Sequence, residues 1–311
     1  MIRKRILNKE IISALEQVIS KENILIDEPM SRHTTFKCGG PASLFLRPSN
    51  VAELRDIVNI LKDNGEKYFV LGNGSNLLVS DKGYDGAIIS MGYFDDIHIE
   101  AETQICAEGG ARNSAIAALA RDNSLTGFEF AAGIPGTIGG AMTMNAGAYG
   151  GEMKDIVREV ILLSPEGEIK TYSGNDMEFA YRESFIKGKE YVVLFVVVEL
   201  EKGNKEEITS KMQELALKRK EKQPLEYPSA GSTFKRPEGN FAGKLIEDAG
   251  LKGYSVGDAE VSEKHAGFVV NKGNATAADV YKLICDVKEK VLENCGVTLE
   301  PEVIILGDFG E

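Results

Sequence analysis

Two glycine-rich stretches are the first places where this chain could do chemistry. One runs Val70-Leu71-Gly72-Asn73-Gly74-Ser75-Asn76-Leu77-Leu78-Val79. Glycines that reach positive φ can turn successive backbone N–H groups toward one point and form an anion cradle. Ser75 and Asn76 would add side-chain donors. It is not a P-loop, because no Lys-Ser/Thr follows, and Leu77 breaks the GxGxxG spacing. A glycine-rich hairpin turn is the alternative. The second stretch, 133–151, begins Gly133-Ile134-Pro135-Gly136-Thr137-Ile138-Gly139-Gly140 and continues through Ala146. Pro135 fixes φ, and Thr137 is placed to cap a short helix whose N-terminus favours an anion. Small residues at 139–141 would let a flat ring or a pyrophosphate approach the backbone. The alternative is a tightly packed helix entry. Two such loops suit a dinucleotide with two phosphates and an extended body.

Three further segments carry reactive groups. Ala180-Tyr181-Arg182-Glu183 offers a guanidinium, whose forked donors match a carboxylate or enolate, though an Arg beside a Glu is more often a surface ion pair. Ser229-Ala230-Gly231-Ser232-Thr233-Phe234-Lys235-Arg236-Pro237 presents hydroxyls in a small-residue turn. No GxSxG surrounds Ser232, so it reads as a capping residue more readily than as a hydrolase nucleophile. In Leu299-Glu300-Pro301-Glu302-Val303 the two acids share one face of an extended segment, so either can point into a cleft or into solvent. His265 reads as a turn residue. Tyr227 and Tyr254 could stack on a ring.

These groups need a scaffold, and hydrophobic periodicity supplies one. Residues 8–21 read as an amphipathic helix. A strand follows at 42–46, then a helix over 51–62 capped by Ser49 or Asn50. Short strands are expected at 68–71, 77–79, 87–90 and 105–107, with a helix at 114–121. Residues 157–163 and 168–172 read as a hairpin around Pro165-Glu166-Gly167, and 191–200 as a β-branched strand. After a polar break at 201–204, helices are expected at 206–222, 242–249 and 277–292, with strands at 267–271 and 303–306. The expected organisation is a strand-rich α+β region at 1–205, split near 90–100, followed by a smaller α+β domain at 206–311.

With 311 residues, 43% hydrophobic and 27% charged, the chain has material for about two domain cores. A net charge of −12 argues against nucleic-acid binding, which needs a basic surface. No apolar run reaches membrane-spanning length. The basic start, MIRKRILNKE, lacks a signal-peptide core, so the chain reads as cytosolic. Cys38, Cys106, Cys285 and Cys295 are widely spaced and read as reduced. His33, His98 and His265 lack metal-ligand spacing, and no metal is expected.

Taken in order, the segments resemble the MurB family of bacterial peptidoglycan synthesis. The matching pieces are His33-Thr34-Thr35-Phe36 with Gly39-Gly40-Pro41-Ala42, Gly72 to Val79, Gly133 to Gly150, Tyr181-Arg182, Gly231-Ser232 with Phe234-Lys235, and Leu299 to Val303. The compact region between Tyr181 and Lys222 is similar to the type II branch. The resemblance implies an α+β fold: a split FAD-binding unit of the vanillyl-alcohol-oxidase/PCMH kind, then a substrate-binding domain, with the C-terminal strand contributing to the active site.

The resemblance also implies a reaction and residue roles. UDP-N-acetylglucosamine-enolpyruvate is reduced to UDP-N-acetylmuramate, with NADPH as hydride donor and noncovalent FAD as carrier. Hydride reaches C3 of the enolpyruvyl ether, and a serine protonates C2. Matched residue by residue, Arg182 stabilises the substrate carboxylate, Ser232 is the proton donor, and Glu302 is the catalytic glutamate. Cofactor contacts fall on Gly72, Asn73, Gly74, Ser75, Asn76, Leu77, Gly133, Pro135, Gly136, Ile138, Gly139, Gly140 and Ala146. Substrate contacts fall on Tyr181, Lys222 and Arg236, the last standing where many members carry Asn before Pro. A UDP-sugar is the expected partner, with no nucleic acid or membrane, and the chain is expected to be a monomer or weak oligomer. Two other readings share parts of this pattern: a flavin dehydrogenase for another substrate, and a non-catalytic nucleotide-binding module.

Overall fold

The computed structural model describes residues 9–310. The basic start of the chain, including Asn8 where the first helix was expected to begin, lies outside the described residues. The chain forms two compact units and passes between them repeatedly. One comprises residues 9–26, 44–73 and 86–218; the other comprises 27–43, 74–85 and 219–310.

In the first unit, a five-stranded antiparallel sheet is ordered Ile169–Ser173, Val157–Leu163, Val192–Glu199, Gln104–Glu108, Ile97–Ala101. Its central strand, VVLFVVVE, is β-branched at most positions, the composition that fits a pleated, buried surface. Val192 and Leu194 join one apolar cluster with Leu44, Leu46, Leu54, Ile57 and Leu61. Val193, Val196 and Val198 join another with Ile116, Phe128, Ile138 and Met142. The sheet is therefore packed on both faces. The helix Val51–Asp63 starts where expected, because the Asn50 side chain accepts from the Glu53 N–H at 3.0 Å. The hairpin and the strand at 68–71 also form as expected, the latter pairing in parallel with residues 87–90.

The second unit is built around the helix Ala277–Cys295. Thr276 and Asp279 close a capping box at its start, and Gly296, at φ 72°, ends it. Its apolar stripe, Val280, Leu283, Ile284, Val287 and Val291, is buried with Phe36, Leu78, Ile246 and Leu299. A three-stranded antiparallel sheet, Ser255–Val256, Ala259–Val261, Val269–Asn271, belongs to the same unit, as does a parallel pair of Leu77–Val79 with Ile304–Leu306.

Several elements differ from expectation, among them the short strands Ser255–Val256 and Ala259–Val261. The first helix spans only Lys9–Leu15, and its buried face continues through turns to Ile19. Strands at Ile24–Pro29 and Ile97–Ala101 were not anticipated. Neither contains a buried residue; ILIDEP does not alternate, and the alternation of IHIEA is confined to five residues.

Backbone in the first unit approaches backbone where Gly109 and Gly110 sit. A β-carbon on Gly110 would lie 1.9 Å from the carbonyl oxygen of Met91. Gly110→Ala is expected to lower stability by on the order of 3 kcal/mol through overpacking, read as a shift in the denaturant midpoint.

Candidate active site

The two glycine loops of the sequence are adjacent within the first unit. A β-carbon on Gly72 would meet Thr137 Oγ1 at 2.4 Å, so the first loop rests directly on the second. Gly139 donates to the Gly109 carbonyl at 2.9 Å, and a β-carbon there would sit 2.7 Å from that oxygen. Thr137 caps the helix Ile138–Thr143, as its position suggested, with Oγ1 accepting from Gly140.

The expectation that this helix start offers its amides to an anion needs correction. Ile138 donates to Ala111, Gly139 to Gly109, Gly140 to Thr137 Oγ1, and Ala141 to the Thr137 carbonyl. The helix spends its first N–H groups on packing. The donors that remain lie just before it. Among the described residues the amides of Gly133, Gly136 and Thr137 donate to no protein group, and neither do those of Gly72 and Asn73 in the first loop. Gly133, Pro135 and Gly140 are exposed, whereas Ile138, Gly139 and Ala146 are buried. Ile138 and Ala146 belong to the apolar core.

Gly140 tests whether the loops fit a flavin nucleotide. Its exposed Cα faces no crowding protein atom, the nearest being Thr137 Oγ1 at 3.6 Å from an added β-carbon. Protein packing therefore explains Gly72 and Gly139 but not Gly140. Bare backbone with ungated amides beside it suits a pyrophosphate or ring edge.

Arg182 sits at the tip of a two-residue turn. Ala180 and Glu183 exchange both backbone hydrogen bonds, at 3.1 and 3.2 Å, leaving Tyr181 and Arg182 between them. Arg182 has φ 57°, the left-handed region that such turns reserve for glycine or asparagine. Lys187 Nζ holds the Arg182 carbonyl at 2.7 Å, and Ser184 Oγ donates to the Thr143 carbonyl at 2.8 Å. The second glycine loop thus anchors the arginine turn. Tyr181 is 45% exposed, and its ring lies 5.3 Å from the guanidinium carbon.

In the second unit, the serine and glutamate segments pair with each other. Phe234 bridges Pro301 in antiparallel register, Glu302 N–H donates to the Thr233 carbonyl at 2.8 Å, and Lys235 N–H donates to the Glu300 carbonyl at 2.9 Å. This ladder sets Thr233 opposite Glu302, one residue from Ser232. Thr233 is buried, with Oγ1 accepting from Val269 at 3.0 Å, so Ser232 projects from a fixed base and is itself exposed. The two acids are distinguished. Glu300 is exposed and paired with Lys235 Nζ at 3.1 Å, whereas Glu302 is half-buried. Asn76 Nδ2 donates to the Glu302 carbonyl at 3.1 Å, and the Asn76 carbonyl accepts from Ile304 at 3.0 Å. Gly74, at φ 60°, packs on the His33 carbonyl, while Leu77 is buried in the parallel pair. Lys222 and Arg236 are exposed, and the Arg236 guanidinium carbon lies 4.9 Å from the Phe241 ring centroid.

One cluster was not legible in the histidine spacing. His98 lies opposite Cys106 in the strand register, and ligand atoms of His98, Glu100 and Cys106 fall within 4.8 Å of one another. The Asp96 carboxylate, at 3.1 Å, and the Glu100 carboxylate, at 3.2 Å, face the two ring nitrogens; the hydrogen bond to Asp96 first, with that to Glu100, raises the His98 pKa against the opposing effect of burial. They favour the imidazolium, which does not ligate a metal.

Residues 42–173 match an FAD binding domain, and residues 223–306 match the UDP-N-acetylenolpyruvoylglucosamine reductase C-terminal domain. The chain is 51% identical to the UDP-N-acetylenolpyruvoylglucosamine reductase of Caldanaerobacter subterraneus subsp. tengcongensis, covering 96% of this chain and 98% of that one. The chain belongs to the MurB family. It is 48% identical to the same enzyme of Clostridioides difficile over 97% of this chain and 99% of the relative. The crystal structure of the Thermus caldophilus MurB superposes with a TM-score of 0.79 at 34% identity, covering 91% of this chain and 100% of that one. A grass pollen allergen with glucose dehydrogenase activity shares the fold at a TM-score of 0.51 and 13% identity, over 63% of this chain and 44% of its own. This MurB-family chain is therefore an α+β flavin-dependent oxidoreductase, with an FAD-binding region of PCMH type and a MurB C-terminal domain. The FAD match spans both glycine loops, and the C-terminal match spans Ser232, Arg236 and Glu302; Lys222 lies just before it. Among the described residues no helix is long and apolar enough to cross a membrane.

Two pairs of variants follow from the glycines and the strained turn. Gly140→Ala is expected to fold with wild-type stability yet bind FAD at least tenfold more weakly, while Gly139→Ala loses stability; flavin titration and thermal melts separate the two. Arg182→Gly is expected to be more stable than Arg182→Ala by about 1 kcal/mol, because only glycine relaxes the left-handed position, and urea midpoints measure the difference.

Proposed function

We propose that this reductase converts UDP-N-acetylglucosamine-enolpyruvate to UDP-N-acetylmuramate, with NADPH as hydride donor and Arg182, Ser232 and Glu302 as its catalytic residues. FAD, held noncovalently by residues 72–77 and by Gly133, Pro135, Gly136, Ile138, Gly139, Gly140 and Ala146, supplies when bound the hydride that adds to C3 of the enolpyruvyl ether. Residues 1–205 hold the flavin and 206–311 bind substrate. The chain acts in the cytoplasm as a monomer or weak oligomer.

Hydride addition to an unsaturated carboxylate drives negative charge onto the carboxylate. The Arg182 guanidinium binds that group and stabilises the charge more as it grows. Ser232 gives its hydroxyl proton to C2, and Glu302 orients the carboxyl-enol or shares its proton. Tyr181, Lys222 and Arg236 hold the UDP-sugar.

The observation that carries the reading is the ladder between Ser232-Thr233-Phe234-Lys235 and Glu300-Pro301-Glu302. It ties the proposed proton donor and the proposed glutamate to one pair of extended segments, and leaves Glu300 to Lys235.

An anaerobic titration tests the proposal. NADPH is expected to bleach the flavin band near ~450 nm, and the enolpyruvyl substrate to restore it. Ser232→Ala is expected to keep the bleaching and slow product formation by about 10²-fold or more. Bleaching without recovery in wild type would instead indicate a dehydrogenase for another substrate.

A further inference from the structure

Asn145 drew no role from the sequence, where it reads as one more small polar residue in a glycine-rich loop. In the structure it is 1% exposed and left-handed at φ 43°. Its Nδ2 donates to Glu152 Oε2 at 2.9 Å and to the Ala180 carbonyl at 3.1 Å, and its Oδ1 accepts from the Lys154 N–H at 3.0 Å. Both amide protons are therefore committed. A buried amide with all its donors placed is a rigid spacer, because losing any bond strands a polar group.

The two groups it holds converge on one neighbour. Ala180 is the base of the turn that carries Tyr181 and Arg182. Glu152 lies in the field of Arg182. Hydrogen bonds from Lys154 and then Asn145 keep its carboxyl below the usual range against the effect of burial, and the Arg182 charge adds to them. Lys154 and Asn145, not Arg182, supply the hydrogen bonds to Glu152. One side chain thus fixes where the strained turn stands and keeps a nearby carboxylate occupied elsewhere.

We propose that Asn145 is a positioning residue for Arg182, holding the guanidinium at the height and orientation that receive the substrate carboxylate. The inference rests on the catalytic role proposed for Arg182. Asn145 acts through that residue and touches neither substrate nor flavin.

The test uses the flavin-loaded enzyme and separates its two half-reactions. Asn145→Gly keeps the left-handed backbone and removes the amide. Asn145→Asp is isosteric, keeps the acceptor for Lys154, and serves if the glycine variant does not fold. Either variant is expected to be reduced by NADPH within about twofold of the wild-type rate. Reoxidation by the enolpyruvyl substrate is expected to slow at least tenfold. Calorimetry on the oxidised enzyme is expected to show UDP-N-acetylmuramate binding weakened at least fivefold. The double variant with Arg182→Ala is expected to reoxidise no more slowly than Arg182→Ala alone, the sign of two residues acting as one unit. Unchanged reoxidation in the Asn145 variants, multiplicative slowing in the double variant, or equal slowing of both half-reactions would each overturn the inference. Wild-type reoxidation rates in Arg182→Ala itself would overturn the underlying assignment of Arg182, whatever the Asn145 variants do.

Discussion

The first unit depends on main chain lying directly against main chain. Gly109 lies against the Val193 carbonyl, Gly110 against that of Met91 and Gly139 against that of Gly109, while Gly72 rests on the Thr137 side chain; at each a single added carbon would overlap an oxygen. Hydrogen bonds from Gly139 to Gly109 and from Ile138 to Ala111 follow from that approach. The consequence is a short helix with no amides to spare and a preceding bend with several. The bareness of the glycine loops is used twice, once toward the protein and once toward open space.

From that base the chemistry is built outward by hydrogen bonds to backbone. The end of the second glycine loop supplies Thr143 and Asn145, which fasten the arginine turn. In the second unit, Asn76 plays a comparable part. Its side chain holds the Glu302 carbonyl, while the Thr233 carbonyl holds the N–H of the same residue. In both units the side chains proposed as catalytic stand on short, irregular segments, and regular secondary structure contributes indirectly.

Much of this was legible in the sequence. Asn50 and Thr137 announced their helices because capping is local chemistry, written within three residues. The long central strand was plain from its valines. The ordered motifs identified the family. The illegible parts depend on partners distant in sequence. Nothing around Asn145 indicates that its amide ends on Ala180, and nothing around His98 indicates that Cys106 faces it across a strand pair. The edge strand Ile97–Ala101 does alternate, Ile97, Ile99 and Ala101 against His98 and Glu100, but it is mostly exposed and only five residues long, so the signal is weak. The competition for the amides of Ile138 and Gly139 likewise came from Ala111 and Gly109, which no local pattern could supply.

The second unit is made of three separate pieces, 27–43, 74–85 and 219–310. Its parallel pair joins Leu77–Val79 to Ile304–Leu306, and Asp81 accepts from the first amides of the helix at Ala277 and Ala278. The Asn76 to Glu302 bond spans 226 positions. During synthesis the early pieces therefore wait, with edges and acceptors unfilled, until almost the whole chain has emerged. Pairings this distant are slow to close and leave strand edges exposed in the interval. Glu302 is thus held by contacts that need both the early piece at 74–85 and the end of the chain, and an unfinished chain lacks that arrangement.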